Sequence, residues 1–467
     1  MAGNVLIRHA DIFGHGPGDV RIADGRIVTI GALNPLPGEP VVDAAGGALL
    51  PGLHDHHIHL AGLAVRAASI HCGPPDVTDP ETLATRLSAP GSGWLRGIGY
   101  HESVMGLPDA RALDALQADR PIRIQHRSGR MWLFNTAALD LLLARSSPPK
   151  GLEHDGTRYT GRLFDEDGWL QEALGSAPPD LAAVSSTLAR HGVTGVTDMS
   201  PRNDAVIAAH VADQIASKAL RQRCVLAGTQ ELGEAVCHGW QPGPVKLHLH
   251  EAHLPDFSDA CRTIAAAHAS SRAVAIHCTT EVELVFALAA LEDAGILPGD
   301  RIEHASIATT EQARQMACLG LSVCVQPHFV FERGDAYLRD VEPRHHPDLY
   351  PLARLRDAGL PLCGGSDAPF ADADPWLAMR AAATRLTREG QRITPHEALS
   401  PEEALALYLA DPEDITRQRR VEAGAPADLC LLHRPWSEAR ERLVSADVRA
   451  AFVSGCRIDD GIDQPQR

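Results

Sequence analysis

The sequence lacks any run of about 20 apolar residues and any low-complexity tract across its 467 residues. The first absence excludes a membrane-spanning helix, which needs about 20 such residues. The second, with 44% hydrophobic and 22% charged residues, excludes a largely disordered chain. The beginning, MAGNVLIRHADIF, has no basic stretch followed by an apolar one, so we predict no secretory signal and a cytoplasmic location.

Basic residues are also scarce relative to acidic ones. Lys and Arg together number 43 against 60 Asp and Glu, which gives a net charge of −17, and no five basic residues occur in a row. An excess of negative charge repels phosphate backbones. We therefore expect no nucleic-acid partner and, with no apolar run, no membrane partner.

The ten cysteines form no CxxC pair and no regular spacing. Several lie inside apolar runs such as LSVCVQP and LPLCGG, where a thiol acts as a small hydrophobic residue. We predict reduced, mostly buried thiols and no structural zinc site. Histidine is different, because its 24 copies cluster beside short apolar runs.

The two ends of the chain have the same short-strand character. Residues 1–50 consist of short β-segments separated by glycine, with a hairpin turn predicted at Asp24-Gly25. Near the other end, strand-like segments follow a helix whose start is marked by Ser400 and Glu403, a capping-box pair. We predict that 1–50 and 420–467 pair into one composite β-sandwich.

Between the ends, nine apolar strand-like segments alternate with helix-like stretches, which indicates βα units around a parallel sheet. A closed (β/α)8 barrel needs eight strands. The segment RPIRIQH at 120–126 is the extra one, because it lies in a stretch too long for an ordinary βα connection. We predict a barrel over 51–419, with residues 61–185 inserted after its first strand. The nine segments are ALLPGLHDHH, RPIRIQH, VTGVTDM, RQRCVLAG, PVKLHLH, AVAIHC, DRIEHA, LSVCVQP and LPLCGGSD.

The inserted segment holds a large share of the few aromatic residues, which make up 4% of the chain. We expect this segment to close over the barrel mouth, with Tyr100 and Trp132 contacting an apolar part of the substrate. The alternative is a self-contained packing unit remote from the site. The segment also contains Trp94, His101 and Phe134.

Candidate metal ligands recur at the ends of the predicted barrel strands. In PGLHDHHIHL, Asp55, His57 and His59 share one face of an extended chain, and His54 and His56 face the other way. Later segments end in Lys246, His277, His304 and Asp367, the last after two glycines that leave backbone room and demand no burial. Barrel enzymes build their sites at the C-terminal ends of their strands, so these side chains are expected to converge.

These motifs resemble the amidohydrolase superfamily, and within it the YtcJ-like branch of metal-dependent amidohydrolases, whose members include N-substituted formamide deformylases. The resemblance spans nearly the whole chain. It implies a metal-bearing barrel with a β-sandwich from both termini, and a dimer or larger homo-oligomer. The segments that carry it are PGLHDHHIH, GWLRGIGYHE, RPIRIQHRSGRMWLFNTAAL, HGVTGVTDMS, PVKLHLH, AIHC, RIEHA, GGSDAP and AGAPADLCLL.

The resemblance also implies a ligand set. His57 and His59 would hold the more buried of two metal ions, and His277 and His304 the more exposed one. Lys246 would bridge them as a carbamate, and Asp367 would bind the first ion and transfer protons. A bare ammonium among dications would be repelled, whereas CO2 addition converts it to an anionic ligand. The alternative is a lysine that reaches solvent or forms an ion pair.

One or two divalent ions, with zinc as the default, make hydroxide available near neutral pH and polarise a carbonyl. Asp367 then acts as general base and general acid, the catalytic residue of the site. We therefore predict an enzyme that cleaves an amide, carbamate or other N-acyl C–N bond of a small organic molecule by metal-activated hydroxide.

The sequence departs from its relatives beside the lysine. LHLHEAHLPDF places His248 and His250 on the same predicted strand face as Lys246, and Arg130 stands in SGRMW where relatives commonly have histidine. We take His248, His250 and Arg130, with Tyr100 and Trp132, as candidate substrate-binding residues. Metal ligation or structural hydrogen bonding remain open for the two histidines.

Two other functions remain open. A deaminase of a heterocycle would use one metal and a helper glutamate, for which Glu281 and Glu303 are the candidates. Glu303 alternates away from His304 along its strand, which does not favour that role. A non-catalytic binding protein is the other alternative, and the complete ligand set argues against it.

Overall fold

The computed structural model describes residues 4–88, 92–175, 178–234 and 238–459. Its internal contacts divide the chain into two compact units. The larger unit consists of Met1–Gly62 and Asp180–Arg467, and the smaller one is Leu63–Pro179. In the part of the chain that is described, no helix has the length and apolar character needed to cross a membrane.

The chain starts with strands and then enters the smaller unit. The first strands are β1 (Val5–Ile12), β2 (Gly16–Ala23), β3 (Arg26–Gly31), β4 (Val41–Asp43), β5 (Ala48–Pro51) and β6 (Leu53–Ile58). Then follow α1 (Leu60–Ala67), β7 (Ile70–His71), α2 (Pro80–Leu87), β8 (Leu95–Tyr100), α3 (Ala110–Asp114), β9 (Ile122–His126), β10 (Met131–Phe134), α4 (Thr136–Leu143), β11 (Leu152–His154), β12 (Tyr159–Phe164) and α5 (Asp167–Leu174).

The rest of the chain alternates strands with helices before it ends in short strands. The alternating part comprises α6 (Ala182–Arg190), β13 (Val193–Asp198), α7 (Ala205–Ala216), β14 (Arg223–Gly228), β15 (Trp240–His248), α8 (Phe257–Ala269), β16 (Val274–Cys278), α9 (Glu281–Ala294), β17 (Arg301–His304), α10 (Thr310–Cys318), β18 (Ser322–Val325), α11 (His328–Asp340), α12 (Leu352–Asp357), β19 (Leu362–Gly364), α13 (Pro375–Thr384) and α14 (Pro401–Leu409). The last elements are β20 (Ala410–Asp411), β21 (Asp414–Gln418), β22 (Leu429–Leu432), α15 (Trp436–Ala439), β23 (Val448–Val453) and β24 (Cys456–Arg457).

Eight of the described strands form the barrel sheet. They pair in parallel in the order β6-β13-β14-β15-β16-β17-β18-β19. Strands such as β6 and β13 are buried along their whole length, as expected when helices cover a parallel sheet. The predicted (β/α)8 fold is confirmed. The extra segment at 120–126 is confirmed as lying outside the barrel, since β9 pairs within the smaller unit.

The last barrel strand returns to the first through backbone hydrogen bonds just beyond their ends. The Asp367 amide donates to the His57 carbonyl at 2.6 Å, and the His59 amide donates to the Ala368 carbonyl at 2.8 Å. These bonds bring the two ends of the sheet together at the carboxyl ends of its strands. Candidate ligands from distant parts of the sequence therefore meet there.

Strands from both chain ends form a second sheet in the larger unit. Its order is β24-β23-β22-β5-β1-β2-β3, with β4 beside β1. The hairpin between β2 and β3 turns at Asp24 and Gly25, whose φ angles of 51° and 75° are those of a primed turn. Residues of both chain ends, such as Ile7 and Leu431, share one hydrophobic core on this sheet. The predicted pairing of the two termini is therefore observed.

The smaller unit has its own sheet and its own cores. The sheet order is β11-β12-β10-β9-β8-β7, antiparallel at one end and parallel at the other. Two hydrophobic clusters pack on it, one around Tyr100 and Leu133 and one around Trp132 and Phe134. This unit can therefore bury apolar surface by itself.

Local signals in the sequence are reproduced. Ser400 and Glu403 form the predicted capping box at the start of α14. Of the nine cysteines in the described ranges, seven are buried, in line with the expected small-hydrophobe role. Cys237 lies outside the described residues.

Candidate metal centre

The first barrel strand presents two imidazoles to one carboxylate. His57 is buried in β6 and His59 follows its end. Their Nε2 atoms lie 3.3 Å and 3.0 Å from the same Oδ1 atom of Asp367. The three side chains form a group of potential metal ligands in which every donor atom lies within 4.8 Å of the others.

Asp367 is held in a constrained backbone. Its φ is 51°, a left-handed conformation that aspartate tolerates better than most residues. Gly365 is required two residues earlier, because a Cβ there would lie 2.4 Å from the Cβ of His57. The expectation that Asp367 needs no burial is wrong, since its exposure is 7%. Gly365 permits close packing against β6 and Gly364 close packing against Leu407 and Tyr408, so the two glycines do not leave the spacious surroundings that the sequence suggested.

Two more imidazoles extend the group along the barrel rim. The His304 ring lies 4.9 Å from the ring of His57 and 4.4 Å from that of His277. His277 in turn stacks on His248 with centroids 4.3 Å apart. The imidazoles of His248, His277 and His304 thus form a row on the adjacent strands β15, β16 and β17, and His304 contacts His57 of β6.

Lys246 ends inside this group without a partner. Its side chain is buried, and its Nζ has no hydrogen-bond partner among the described residues. The Nε2 atom of His304 is likewise buried and unpartnered. Buried polar atoms without partners are uncommon in folded proteins and call for an explanation such as an ion. The Nε2 atom of His304 is a nitrogen that a metal ion would bind. The Nζ atom of Lys246 is a nitrogen that a metal-binding carbamate would include.

Glu303 lies behind the imidazole of His57. Its Oε2 is 2.5 Å from His57 Nδ1, and its Oε1 accepts from Arg301 Nε at 2.5 Å. A carboxylate on Nδ1 leaves Nε2 as the metal-binding nitrogen and orients the ring. Glu303 does not line the cavity, as its alternation with His304 predicts, but both residues approach His57, because His304 has a φ of 73° and regular alternation ends there.

Burial and charge set the protonation of the group. Burial lowers the pKa of His304 to about 3, and burial with the charges of His304 and Lys246 lowers the pKa of His277. Burial would raise the pKa of Asp367, but the imidazoles of His57 and His59 hold it well below the usual range of a carboxyl. The pKa shifts of His277 and His304 favour neutral imidazoles and that of Asp367 favours the ionised carboxylate, which are the forms that ligate metals.

The pKa of Lys246 is also lowered. Burial is the largest cause, and the charges of Glu303 and Asp367 offset part of it. A lower pKa increases the fraction of neutral amine, which is the form that adds CO2. Burial, then the charge of Lys246, lowers the pKa of His248 as well.

The group lines a cavity of about 730 Å³ in the larger unit. That volume lies within the range of small-molecule sites. The walls contain hydroxyls, aromatic rings and one arginine besides the candidate ligands. These further lining residues include Ser200, Thr279, Thr280, Ser306, Phe329, Arg333, Tyr337, Tyr350 and Phe370.

Of the five candidate substrate-binding residues, His248 is the one that lines this cavity. His250 is exposed and caps a short 3-10 helix, Glu251–His253. Arg130 is exposed and pairs with Asp165 within the smaller unit, at 2.8 Å.

Tyr100 and Trp132 belong to the cores of the smaller unit. The Tyr100 hydroxyl donates to the Gly106 carbonyl at 2.7 Å, and the Trp132 indole donates to Asp167 at 2.7 Å. Their exposures are 0% and 5%. This burial is what a packing role predicts.

The other histidines of the first strand are buried as well. His54 Nε2 lies 2.9 Å from the Thr197 hydroxyl, and the Asp55 carboxylate accepts from the backbone amides of His57 and Ser366. His56 is buried and contacts the His54 ring. These contacts are those of structural side chains.

Sequence reasoning missed the residues that α11 and the segment after β19 contribute to the cavity. Arg333 and Tyr337 lie on α11 at the same helical spacing as many surface residues, so nothing in their pattern marks them. The signal available was their position directly after a barrel strand, where βα connections form the site. Phe370 could have been found in the same way.

Comparison with known proteins agrees with this geometry. A family model described as "Amidohydrolase family" matches residues 40–457. An N-substituted formamide deformylase of Arthrobacter pascens is 27% identical over 515 residues, covering 93% of this chain and 94% of that protein. The putative amidohydrolase YtcJ of Bacillus subtilis (strain 168) is 23% identical, with coverages of 93% and 94%.

Solved structures share the fold. An uncharacterized metal-dependent hydrolase from Pyrococcus horikoshii OT3 superimposes with a TM-score of 0.78 at 20% identity. The match covers 94% of this chain and 99% of that one. At this identity the likeness concerns the fold alone.

Proposed function

Because the chain belongs to the amidohydrolase family of enzymes that hydrolyse carbon–nitrogen bonds, we propose that it cleaves an amide, carbamate or other N-acyl bond of a small organic molecule. One observation carries this proposal. His57, His59 and Asp367 converge within 4.8 Å in a cavity that also contains the buried, unpartnered Nζ of Lys246. The deformylase relative cleaves a bond of the proposed class, as its name states.

The donor set fits two divalent ions, for which zinc suits the imidazoles and carboxylate. His57, His59 and Asp367 would hold one ion, and His277 and His304 the other. The neutral amine of Lys246 would add CO2 and release one proton, and the resulting carbamate would supply an anionic oxygen ligand beside the imidazoles. Its buried Nζ and lowered pKa support this modification.

A bound divalent ion lowers the pKa of water and polarises a carbonyl oxygen. Asp367 supplies proton transfer, because its ionised carboxylate takes a proton from the attacking water and returns it to the leaving nitrogen. Glu303 keeps the His57 ring oriented during this cycle. His248 stacks on His277 and presents its imidazole to the cavity for a polar group of the substrate.

The positions of the glutamates do not favour the deaminase alternative. Glu303 is occupied by His57 and Arg301. Glu281 lies 3.8 Å from His345 and does not line the cavity. Among the described lining residues no glutamate faces the cavity.

The test is metal analysis combined with a substrate panel. Purified enzyme is dialysed against a strong chelator, reloaded with zinc, and assayed on N-formyl, N-acetyl and N-aryl amides, carbamates and an aminated heterocycle. We expect about two metal ions per chain, loss of activity on chelation, and turnover of an amide or carbamate after reloading. Full activity in metal-free protein would overturn the proposal. One ion per chain with turnover of the heterocycle alone would favour the deaminase.

A further inference from the structure

One part of the cavity wall is aromatic and basic. Helix α11 presents Phe329, Arg333 and Tyr337 at positions i, i+4 and i+8, which lie along one side of the helix. Tyr350 and Phe370 line the cavity beside them. This wall has no place in the proposed hydrolysis.

Arg333 is held in position without an acidic partner. Its guanidinium carbon lies 4.7 Å from the Phe329 ring centroid, and Nη2 donates to the Phe370 carbonyl at 2.7 Å. Among the described residues, no carboxylate lies within ion-pair distance of this guanidinium. Arginine has five N–H donors, so the contacts to the Phe370 carbonyl and the Tyr337 hydroxyl leave the others for a ligand.

The surroundings favour an anionic group over a second cation or a neutral one. Asp367 is the one carboxylate among the described residues that line the cavity. The hydroxyls of Tyr337 and Tyr350 lie 3.0 Å apart on the same wall, so that one donates to the other and one hydroxyl hydrogen is left for an acceptor. A cation between aromatic rings and hydroxyl donors is the arrangement that binds a carboxylate.

Phe370 connects this wall to the metal centre. Its carbonyl accepts from Arg333, and its ring packs edge-on against His59 with centroids 5.6 Å apart. The side chain is 58% exposed. A substrate whose C–N bond lies at His59 would cover the Phe370 ring and reach Arg333 with its other end.

The other cavity feature that could attract an anion is already satisfied. Thr279 and Thr280 stand at the N-terminus of α9, but their amides donate to Glu283 at 2.7 Å and 3.1 Å. The same carboxylate also accepts from the Glu251 amide. A substrate carboxylate would be repelled there, so that among the described lining residues Arg333 is the cation outside the proposed metal-ligand group.

We propose that Arg333 binds a carboxylate at the end of the substrate remote from the scissile bond, so that the preferred substrates are N-acyl compounds bearing a carboxylate. This substrate preference rests on the proposed function, but binding of the carboxylate can be measured separately from hydrolysis. The carboxylate can belong to the amine part, as in an N-acyl amino acid, or to the acyl part, as in the monoamide of a dicarboxylic acid.

The experiment uses matched pairs that differ by the carboxylate. N-acetylphenylalanine is compared with N-acetylphenethylamine, and N-phenylsuccinamic acid with butyranilide, on the zinc-loaded enzyme. For at least one pair we expect kcat/KM about 10- to 100-fold higher for the acid, the scale of a hydrogen-bonded charge. Which pair shows the preference tells on which side of the bond the carboxylate lies.

Variants assign the preference to Arg333. In Arg333→Met, kcat/KM should become equal for the acid and its neutral partner, mainly because KM of the acid rises. Arg333→Lys should retain part of the preference for the acid, because the charge stays but the planar fork is lost. Arg388→Met is the control, because Arg388 also lies over a phenylalanine ring, at 5.6 Å from the Phe331 centroid, without lining the cavity. This control should keep the wild-type ratio.

Calorimetric binding of the same pairs to zinc-loaded Asp367→Asn separates this proposal from the hydrolysis. If Asp367→Asn binds the acid more tightly than its neutral partner and Asp367→Asn/Arg333→Met does not, the Arg333 site is supported. This holds even if the wild type hydrolyses neither compound, because missing hydrolysis would count against the proposed function alone. Equal binding and equal turnover within both pairs would overturn the carboxylate site. A preference that survives Arg333→Met would do so too.

Discussion

Replacing Lys246 by methionine should stabilise the metal-free protein and inactivate the enzyme. Methionine has similar length but no charge, and the Nζ atom it replaces is buried without a hydrogen-bond partner in the described residues. An unsatisfied buried polar group costs about 1–3 kcal/mol. We therefore expect the free energy of unfolding of metal-free Lys246→Met to exceed that of the wild type by about 1–3 kcal/mol near pH 7.

The pH dependence of this gain has a fixed sign. The pKa of Lys246 in the folded state is lowered from its ordinary value of 10.5, so the unfolded chain binds more protons between the two values. Stability of the wild type then rises with pH across that window. The advantage of the methionine variant should be complete below the folded pKa and should shrink as pH approaches the ordinary value.

The assay combines urea unfolding of chelated protein, followed by fluorescence and circular dichroism, with zinc binding and turnover. Lys218→Met serves as control, because Lys218 is exposed in the same unit and should change the unfolding free energy little. With bicarbonate and zinc present, Lys246→Met should bind at least one metal ion fewer and lose most activity. A methionine variant less stable than the wild type without metal would refute the reasoning.

The modification itself can be observed directly. The sequence contains three lysines, Lys150, Lys218 and Lys246, so a carbamate formed from 13C-bicarbonate gives few carbon resonances. The resonance that depends on zinc should vanish in Lys246→Met and persist in Lys218→Met. Its presence in both variants, or its absence in zinc-loaded wild type, would contradict the bridging carbamate.

Three further predictions concern other residues. Asp367→Asn should fold, bind zinc and lose about 10²–10⁴ in kcat, the scale of general acid–base catalysis, and a near-normal kcat would remove Asp367 from the proton transfer. Glu303→Gln should weaken zinc binding or activity about 10- to 100-fold, as for other carboxylates behind a ligating histidine, and unchanged zinc titration would contradict the role of its contact to His57. Trp132→Ala should lower the stability of the smaller unit by about 3–5 kcal/mol, measured by calorimetry, whereas a raised KM with unchanged stability would instead support contact with substrate.

The sequence predicted the barrel and the convergence of the candidate ligands, because both depend on short-range patterns. Each barrel strand is a short apolar run, and each candidate ligand follows such a run by one or two residues. The parallel arrangement then brings His57, His277, His304 and Asp367 to one rim whatever the length of the intervening segments. Strand alternation alone also explained why His54 is structural.

The sequence did not predict side-chain directions where the backbone departs from regular strand geometry. It also did not predict the role of a residue where that role depends on packing in three dimensions. His304 has a positive φ, so Glu303 and His304 both reach His57 although alternation predicts opposite directions. Aromatic content suggested that Trp132 contacts substrate, yet an aromatic ring is equally suited to a core, and composition does not distinguish the two. Arg333 is marked by no sequence motif, because its proposed role depends on the absence of a carboxylate near its guanidinium among the described residues, which only the folded structure reveals.

The contact between His59 and Asp367 joins residues 308 positions apart. The entropy of closing so long a loop grows only with the logarithm of its length. Leu63–Pro179 makes up more than a third of this loop, yet deleting it would change the closure free energy by only about 0.4 kcal/mol. The barrel can therefore accept segments of very different size between its first two strands. The length of the smaller unit adds very little to the free energy of bringing His59 and Asp367 together.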